Sequence, residues 1–151
     1  MATARRSYKP GNFELVVRRS MTGLGLYTET AIPKGACVIE YTGRILGPGE
    51  DDGISGRYLF EVSNRRTIDG TPRSNTARYV NHSCRPNCEP YIYRGRVFIF
   101  AKRAIKPGEE LAYNYGPAYF DTYIKPHGCL CPKCRPATLA KKRRAASAKA
   151  I

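Results

Sequence analysis

Short runs of apolar and β-branched residues recur along the chain, and they predict strands rather than helices. Two of these runs, FELVVRRS (13–20) and ACVIEYTGRIL (36–46), flank a glycine-containing stretch. Two hairpins are predicted, one in YLFEVSNRRTIDG with its turn at 64–65 and one in EPYIYRGRVFIFAKR with its turn at 94–95. The segment TPRSNTARYVNHS predicts no more than a single helical turn. We therefore expect a mostly β fold of many short strands joined by Gly and Pro turns.

Chain length and hydropathy narrow the class of protein. At 151 residues the chain suits one domain with its own core. No apolar run approaches the roughly 20 residues that span a bilayer, and the first residues lack the apolar stretch of a secretory signal. We expect a soluble, intracellular monomer without membrane contact, cytoplasmic if the source is bacterial and nuclear if it is eukaryotic or viral.

Basic residues outnumber acidic ones, and their excess is concentrated at the C-terminal end. The 26 Lys and Arg residues against 12 Asp and Glu residues give a formal charge of +14, which favours an acidic or highly charged partner. No acid follows Asp121, and the end KCRPATLAKKRRAASAKAI has little apolar content besides Ala. We expect residues 136–151 to be disordered, or to form a helix only on a partner. A nucleic-acid contact through 133–149, a nuclear import signal and a solvated tail are all compatible with this composition.

Two short segments concentrate reactive side chains. NHSCRPNC (81–88) combines His, Asn and two Cys, and CLCPKC (129–134) places three Cys in six residues around a Pro. In a reducing compartment such clusters indicate metal ligands. A pair of buried thiols is the alternative, but three Cys in six residues around a Pro suit metal chelation better than packing. Cys37, at the start of a hydrophobic strand, is predicted to lie in the core. Taken alone, His82 would be a hydrogen-bonded structural residue, and TGLGLY (22–27) a turn at which a ligand could approach the backbone.

Four motifs in a fixed order carry a resemblance to a known family. TGLGLY, EYTG, ARYVNHSCRPN and GEELAYNYG, followed by the Cys cluster, resemble the SET domain of protein-lysine methyltransferases with a short post-SET segment. The resemblance covers about residues 13–135. It implies a SET domain at 13–120 and a post-SET zinc segment at 121–135, between a flexible N-terminus at 1–12 and a basic tail at 136–151.

The resemblance also implies a fold. We expect several small curved sheets, with the NYG segment threaded through the loop that holds NHSC to give a C-terminal pseudoknot, an arrangement that is rare among proteins. The post-SET tail would be bound to zinc. In this arrangement residues 81–84 and 113–115 form one pocket, with the methyl donor on one face and the peptide on the other.

The implied cofactor is S-adenosylmethionine, because the Asn-His pair of the third motif contacts the methyl donor in this family. Arg78 and backbone of the glycine motif would complete the site. The residues implied for cofactor binding are Leu24, Gly25, Leu26, Arg78, Asn81 and His82.

The Cys that follows the Asn-His pair joins a zinc site in this family. The implied ligands of a tetrahedral structural Zn²⁺ are Cys84, Cys129, Cys131 and Cys134. The last two post-SET Cys are closer together here than is usual in the family, so Cys88 or His127 could replace one thiolate. Such a metal would clamp a segment that is too small to bury its own core.

Tyrosines would carry the chemistry. The resemblance implies that Tyr115 orients the amine and that Tyr41 lines the lysine channel, where aromatic walls desolvate the amine and favour its neutral form. A Tyr at position 113 crowds the amine in this family, so we predict mono- or dimethylation, although Tyr58 can occupy the same space. Tyr91 and other hairpin aromatics are predicted to be structural.

The implied substrate is a basic protein, histone or histone-like, that presents a lysine in an extended segment along a sheet edge. An acidic loop at Glu50, Asp51 and Asp52 could attract such a peptide or be a solvated turn. One alternative is a SET-type module that no longer catalyses and binds chromatin or nucleic acid through its basic tail. Another is a small zinc-bound DNA-binding protein without cofactor affinity. A third possibility is self-methylation, and the candidate lysines in the tail are Lys141, Lys142 and Lys149.

Overall fold

Strands dominate the computed structural model, which describes residues 6–50 and 56–149, with side chains up to residue 147. The strands are β1 (Leu15–Ser20), β2 (Gly23–Thr28), β3 (Cys37–Tyr41), β4 (Arg44–Leu46), β5 (Leu59–Ser63), β6 (Arg66–Asp69), β7 (Asn81–His82), β8 (Cys88–Tyr93), β9 (Arg96–Ala101) and β10 (Ala112–Tyr113). The helical elements are 3₁₀ turns at Gly56–Tyr58 and Thr76–Tyr79, α1 (Pro117–Tyr119), a π-helical turn at Phe120–Ile124, and α2 (Arg135–Lys149). The prediction of a mostly β fold is confirmed.

Four small sheets make up the body of the molecule. β1 pairs with β2, and two three-stranded sheets have the orders β3-β9-β8 and β4-β6-β5, all antiparallel. Both predicted hairpins are present. At the β8–β9 turn, Arg94 and Gly95 have φ values of 51° and 76°, as a tight hairpin turn requires. The predicted single helical turn is the 3₁₀ turn at Thr76–Tyr79.

The glycine motif is a strand rather than a turn, which corrects the prediction for TGLGLY. The register of the first hairpin pairs Ser20 with Gly23, so Met21 and Thr22 alone form the connection and residues 23–28 belong to β2. Gly23 has a φ of 117°, a conformation that residues with a Cβ rarely adopt. Residues 23–27 of the motif therefore belong to one strand of a regular hairpin.

Apolar side chains from the sheets converge on one main core. Its fully buried members include Leu26, Val97, Ile99 and Leu111. A second, smaller cluster contains Cys37 together with Phe98 and Phe100, which agrees with the prediction that this Cys is a core residue.

The segment that ends in NYG lies against the loop that contains NHSC. β10 pairs with β7 in parallel, with Tyr113 opposite His82, and the Ser83 N–H donates to the Tyr113 carbonyl at 3.1 Å. The buried Asn87 side chain donates to the Glu110 carbonyl at 2.8 Å and accepts from the Ala112 N–H at 2.9 Å. These are the contacts that the predicted pseudoknot requires, and they fix two segments about thirty residues apart.

The prediction of a disordered tail is corrected for residues 136–149, because α2 extends through them. Its first turn is anchored: the Arg135 N–H donates to the Cys131 carbonyl at 2.8 Å, and the Thr138 hydroxyl donates to the Cys129 carbonyl at 2.6 Å. An anchored turn removes the cost of nucleation, and the Ala, Arg and Lys residues that follow are strong helix formers. Among the described residues, no helix is long and apolar enough to cross a membrane.

Candidate functional site

A cavity of about 730 Å³ opens between the β1–β2 hairpin, strand β7 and the C-terminal segment. Its charged lining consists of three arginines, and no carboxylate of the described residues lines it. The cavity is therefore electropositive. Its lining residues include Thr22, Leu24, Arg57, Tyr58, Arg73, Arg78, Asn81, His82, Tyr115, Tyr119, His127, Cys129, Leu130 and Cys131.

A narrow aromatic channel of about 50 Å³ adjoins this cavity. Tyr41, Leu59, Phe60 and Tyr113 line the channel alone, whereas the other lining residues are shared with the cavity. The shared residues are Arg57, Tyr58, Arg78, Tyr115 and Tyr119. Tyr115 therefore stands where the wide cavity meets the narrow channel.

The channel tyrosines are held in place by hydrogen bonds to backbone carbonyls. The Tyr115 hydroxyl donates to the Val80 carbonyl, and the Tyr41 hydroxyl donates to the Tyr58 carbonyl at 2.6 Å. Burial raises the pKa of Tyr115, Tyr41 and Tyr113 above the ordinary value, so these side chains carry neutral hydroxyls. They can orient an amine by their dipoles, and they are poor bases.

His82 links the catalytic candidate Tyr115 to the Cys cluster. Its Nδ1 accepts a hydrogen bond from the Tyr115 backbone N–H at 3.1 Å, and its Nε2 lies 3.3 Å from the Cys84 sulfur. Burial lowers the pKa of His82, which favours the neutral ring. Because Nδ1 must accept from an amide, Nε2 carries the proton and points it at the sulfur.

Glu110 is a site residue that sequence reasoning missed. Its carboxylate accepts from the Asn81 side-chain amide at 2.8 Å and from the Ser20 hydroxyl at 2.9 Å, and the Tyr27 hydroxyl lies 3.4 Å away. The Asn81 amide also donates to the Leu24 carbonyl at 3.0 Å. Glu110 thereby fixes the orientation of Asn81 at the cavity wall. Its neighbour Glu109 is the same residue type in the same GEEL motif, so the sequence alone does not show which of the two Glu residues contacts Asn81.

The structure brings four of the six predicted cofactor residues to the cavity. Leu24, Arg78, Asn81 and His82 line it, whereas Gly25 and Leu26 do not. A Cβ at Gly25 would collide with the Glu110 carboxylate. The Leu26 side chain is fully buried in the core, and its carbonyl accepts from the Leu111 N–H at 2.8 Å.

Arg78 contributes an unpartnered cationic donor. Its guanidinium carbon lies 4.2 Å from the centre of the Tyr58 ring, and among the described residues its buried Nε has no hydrogen-bond partner. A buried donor of this kind calls for an acceptor from a ligand or from water. It suits a carboxylate bound in the cavity.

The four predicted zinc ligands form one cluster, with their sulfurs all within 4.8 Å of one another. The Cys84 sulfur lies 3.7 Å from that of Cys134 and 3.9 Å from that of Cys129. Four thiolates about 2.3 Å from a tetrahedral zinc are about 3.8 Å apart, so this donor set fits the metal. Burial opposes ionisation of Cys131, but hydrogen bonds from the backbone N–H groups of Cys84 and Cys134 lower its pKa to about 6, which favours the thiolate.

The alternative ligands lie outside this cluster. Cys88 is fully buried on β8, where burial raises its pKa to about 12, and His127 is exposed at the cavity rim. In the predicted acidic loop, Asp51 and Asp52 lie outside the described residues, and the Glu50 carboxylate accepts from the Gly47 N–H at 3.0 Å within a local turn.

Small sheets, a threaded C-terminal segment and a Cys cluster beside an aromatic channel define a SET-type protein. The chain matches the SET domain family over residues 23–116. Because this match covers more than half of its length, the chain belongs to the SET domain family.

Similar proteins are histone-lysine N-methyltransferases by name. The chain is 36% identical to trithorax of Drosophila virilis over 146 residues, which are 88% of this chain and 4% of that protein. It is 38% identical to a Schizosaccharomyces pombe enzyme named as H3 lysine-4 specific, over 74% of this chain and 14% of that protein. The chain thus spans a small part of these relatives.

A solved structure has the same fold. The crystal structure of Kryptonite in complex with mCHH DNA, H3(1-15) peptide and SAH superposes with a TM-score of 0.67 at 31% sequence identity. The likeness covers 87% of this chain and 30% of that one. The predicted SET fold is therefore confirmed.

Proposed function

We propose that this chain transfers methyl groups from S-adenosylmethionine to a lysine amine of a basic, histone or histone-like protein. The observation that carries the proposal is the junction at Tyr115, where a wide electropositive cavity meets a narrow channel with aromatic walls. The names of the relatives, and the SAH and H3 peptide bound to Kryptonite, support the same reaction and substrate class.

The cavity fits the cofactor in size, and it offers a cation to the one negatively charged group of the cofactor, its carboxylate. A volume of about 730 Å³ lies within the range that holds nucleoside-sized ligands. Arg78 offers its unpartnered Nε to the carboxylate of the methionine moiety, and Asn81, His82 and Leu24 form the adjoining wall. When bound there, S-adenosylmethionine supplies a methyl group on a positively charged sulfur. The proposed contribution of Gly25 and Leu26 is indirect, through the position of Leu24 on β2.

The channel residues prepare the lysine. Aromatic walls exclude water and desolvate the ammonium, so the lysine loses its proton more readily. The Tyr115 and Tyr41 hydroxyls, already fixed by backbone carbonyls, direct the neutral amine along the channel toward the cavity. The lysine proton passes to solvent before the amine is enclosed, because the raised pKa values of Tyr115 and Tyr41 keep these side chains protonated and unable to act as its base.

The degree of methylation is proposed from Tyr113. This side chain is buried in the channel with its ring 4.7 Å from that of Tyr115. Its bulk and hydroxyl reduce the space beside the amine, which favours mono- or dimethylation over trimethylation.

The four clustered Cys would hold a structural zinc, and residues 121–135 would act as the post-SET segment. Cys129 and Cys131 contribute to the cavity wall as well as to the cluster, so the metal would close the cofactor site by ordering this segment. The substrate peptide would lie along a sheet edge, for which β4 and β5 are the outer strands of their sheet.

The test is methyl transfer from labelled S-adenosylmethionine to a panel of basic proteins, histone H3 among them, read by intact mass. Tyr115→Phe should lower the rate on the order of 100-fold, because it removes the hydroxyl that orients the amine. Tyr93→Phe, an exposed tyrosine outside both cavities, should be as active as the unaltered protein. Equal rates for all three proteins would overturn the assignment of Tyr115.

The second candidate is a SET-type module that binds chromatin or nucleic acid without catalysis, and the exposed basic residues of α2 favour it. Such a module would bind the cofactor weakly or not at all and would label no protein in the panel. Labelling of any lysine by the unaltered protein decides against it.

A further inference from the structure

Helix α2 is the most strongly charged exposed element of the described chain. Every residue from Lys141 to Ser147 is exposed, and four consecutive cations occupy its middle. The remaining residues of this stretch are Ala145, Ala146 and Ser147. The helix therefore presents only charge and small side chains to its surroundings.

These cations point in all directions around the helix. Successive residues of an α-helix are about 100° apart, so residues 141–144 cover about 300° of its circumference. A flat acidic surface could contact only part of this set. A groove with negative charge on both walls could contact all of it.

Helix composition distinguishes among polyanions. A helix that lies in a membrane surface needs large apolar side chains on one face, and residues 141–147 have none. The major groove of B-form DNA is about 12 Å wide and accepts an α-helix of about 10–12 Å diameter, with phosphates along both edges. In A-form RNA the major groove is too narrow for side chains to enter.

The base of the helix is fixed rather than flexible. Arg135 and Thr138 are hydrogen-bonded to the carbonyls of Cys131 and Cys129, and the Thr138 N–H also donates to the Cys134 carbonyl at 3.0 Å. The charged turn thus projects from an anchored start, and less conformational entropy is lost when it binds.

We propose that α2 binds B-form duplex DNA by entering the major groove, with contacts to phosphates on both walls. The cations that make these contacts are Lys141, Lys142, Arg143 and Arg144. This inference goes beyond the proposed methyl transfer and does not depend on it.

The test is fluorescence anisotropy with a labelled duplex DNA of about 20 base pairs at several salt concentrations. The variant with Gln at all four positions (Lys141→Gln, Lys142→Gln, Arg143→Gln, Arg144→Gln) should bind at least about tenfold more weakly. Its slope of log K against log salt should fall by about 3 to 4, since each phosphate contact contributes about 0.9. Gln has a helix propensity close to that of Lys and Arg, so circular dichroism should show unchanged helix content.

A matched control variant loses four positive charges from the surface outside α2. Lys9, Lys34, Arg44 and Arg65 are exposed and lie on separate parts of the described surface. Replacing all four with Gln should weaken DNA binding less than about threefold, because distant surface charges are largely screened. A loss equal to that of the α2 variant would overturn the proposal. A second variant, Lys141→Arg with Lys142→Arg, should bind DNA as the unaltered protein does.

Competition identifies the class of polyanion. Duplex RNA of the same sequence and vesicles that contain phosphatidylserine should compete at least about tenfold less well than duplex DNA. Equal competition by either would overturn the groove geometry. Calorimetric titration with S-adenosylmethionine should give the same affinity for the α2 variant and the unaltered protein. Cofactor binding and DNA binding are thus measured by separate experiments, so a failure of the DNA proposal can be distinguished from a failure of the proposed methyl transfer.

Discussion

Between residues 13 and 116 the interior is built from apolar side chains such as Leu26, Ile99 and Leu111, whereas between 117 and 147 the buried residues are Cys129 and Cys131. The first region, the body, has the sheets and the main core. The second, the C-terminal segment, consists of helical turns joined by a Cys-rich loop. The body can fold by burying apolar surface, whereas the segment has little apolar surface to bury and would be ordered by the proposed zinc.

The difference matters because the cavity is built from both regions. Leu24 and Asn81 come from the body, and Leu130 and Cys131 come from the C-terminal segment. Cys84 joins the two, since it belongs to the body and its sulfur lies in the cluster. The site therefore depends on two kinds of stabilisation that can be disrupted separately.

Removal of zinc should separate the two regions most strongly. Zinc contributes on the order of 10 kcal/mol to the folding of small metal-dependent units, so chelation should abolish cofactor binding and methyl transfer. Hydrogen exchange should show loss of amide protection at residues 129–138, while the amides of β9 keep theirs.

Two Cys variants control for the chelator. Cys84→Ser should lose most of the bound zinc in a metal assay, whereas Cys88→Ala should retain one zinc per chain, because Cys88 lies outside the cluster. Loss of protection in β9 on chelation would mean that the body also depends on the metal, and it would contradict the separate stabilisation of the two regions.

Two Leu→Ala variants should show the opposite dependence, in which the stability of the body changes when its apolar core is altered. Leu111 is fully buried in the main core, and Leu111→Ala should lower the free energy of unfolding by about 2–5 kcal/mol. Leu139 is half-buried on α2, and Leu139→Ala should change the unfolding of the body by less than about 1 kcal/mol. Urea unfolding followed by circular dichroism measures both. Equal losses would contradict the separation of the two regions.

Glu110→Gln tests the part of the site that belongs wholly to the body. The variant loses charge-assisted hydrogen bonds to Asn81 and Ser20, so the KM for the cofactor should rise about tenfold while kcat changes less than about threefold.

The neighbouring residue is a matched control. Glu109 forms a surface ion pair with Arg103 at 2.9 Å, and Glu109→Gln should change KM less than about twofold. An effect on kcat alone in Glu110→Gln would show that this residue does not act by positioning the cofactor wall.

Tyr113→Phe should have the smallest effect on rate and a visible effect on product. Loss of the hydroxyl leaves more room beside the amine in the channel. Mass spectrometry should show a larger share of the next methylation state, with the overall rate within about threefold of the unaltered protein. A product distribution identical to that of the unaltered protein would contradict the role proposed for Tyr113.

Pattern and spacing predicted a mostly β protein with a metal site, because branched residues in short runs favour strands and three Cys in six residues favour a metal cluster. The SET fold and the inclusion of Cys84 in the cluster were implied by the resemblance of four ordered motifs to a known family. The orientation of individual side chains could not be predicted, because it depends on the folded structure. Glu109 and Glu110 are identical in sequence, and only the fold turns one toward Arg103 and the other toward Asn81.

Two predictions depended on contacts between segments that composition alone does not show. Disorder was predicted for residues 136–151 because they are charged and lack large apolar side chains, but the anchored start of α2 supplies the nucleus that composition cannot show. The prediction for Leu26 concerned its backbone near the cofactor; alternation along β2 turns the side chain of this residue into the core.

The pairing of β7 with β10 has a consequence for how the protein folds. Asn81 and His82 meet their partners only after a loop of about thirty residues has closed, and a parallel pairing of this kind raises contact order. Folding should therefore be slow for a chain of this size. The hairpins should form early, and the cavity beside β7 should be among the last parts of the molecule to become native.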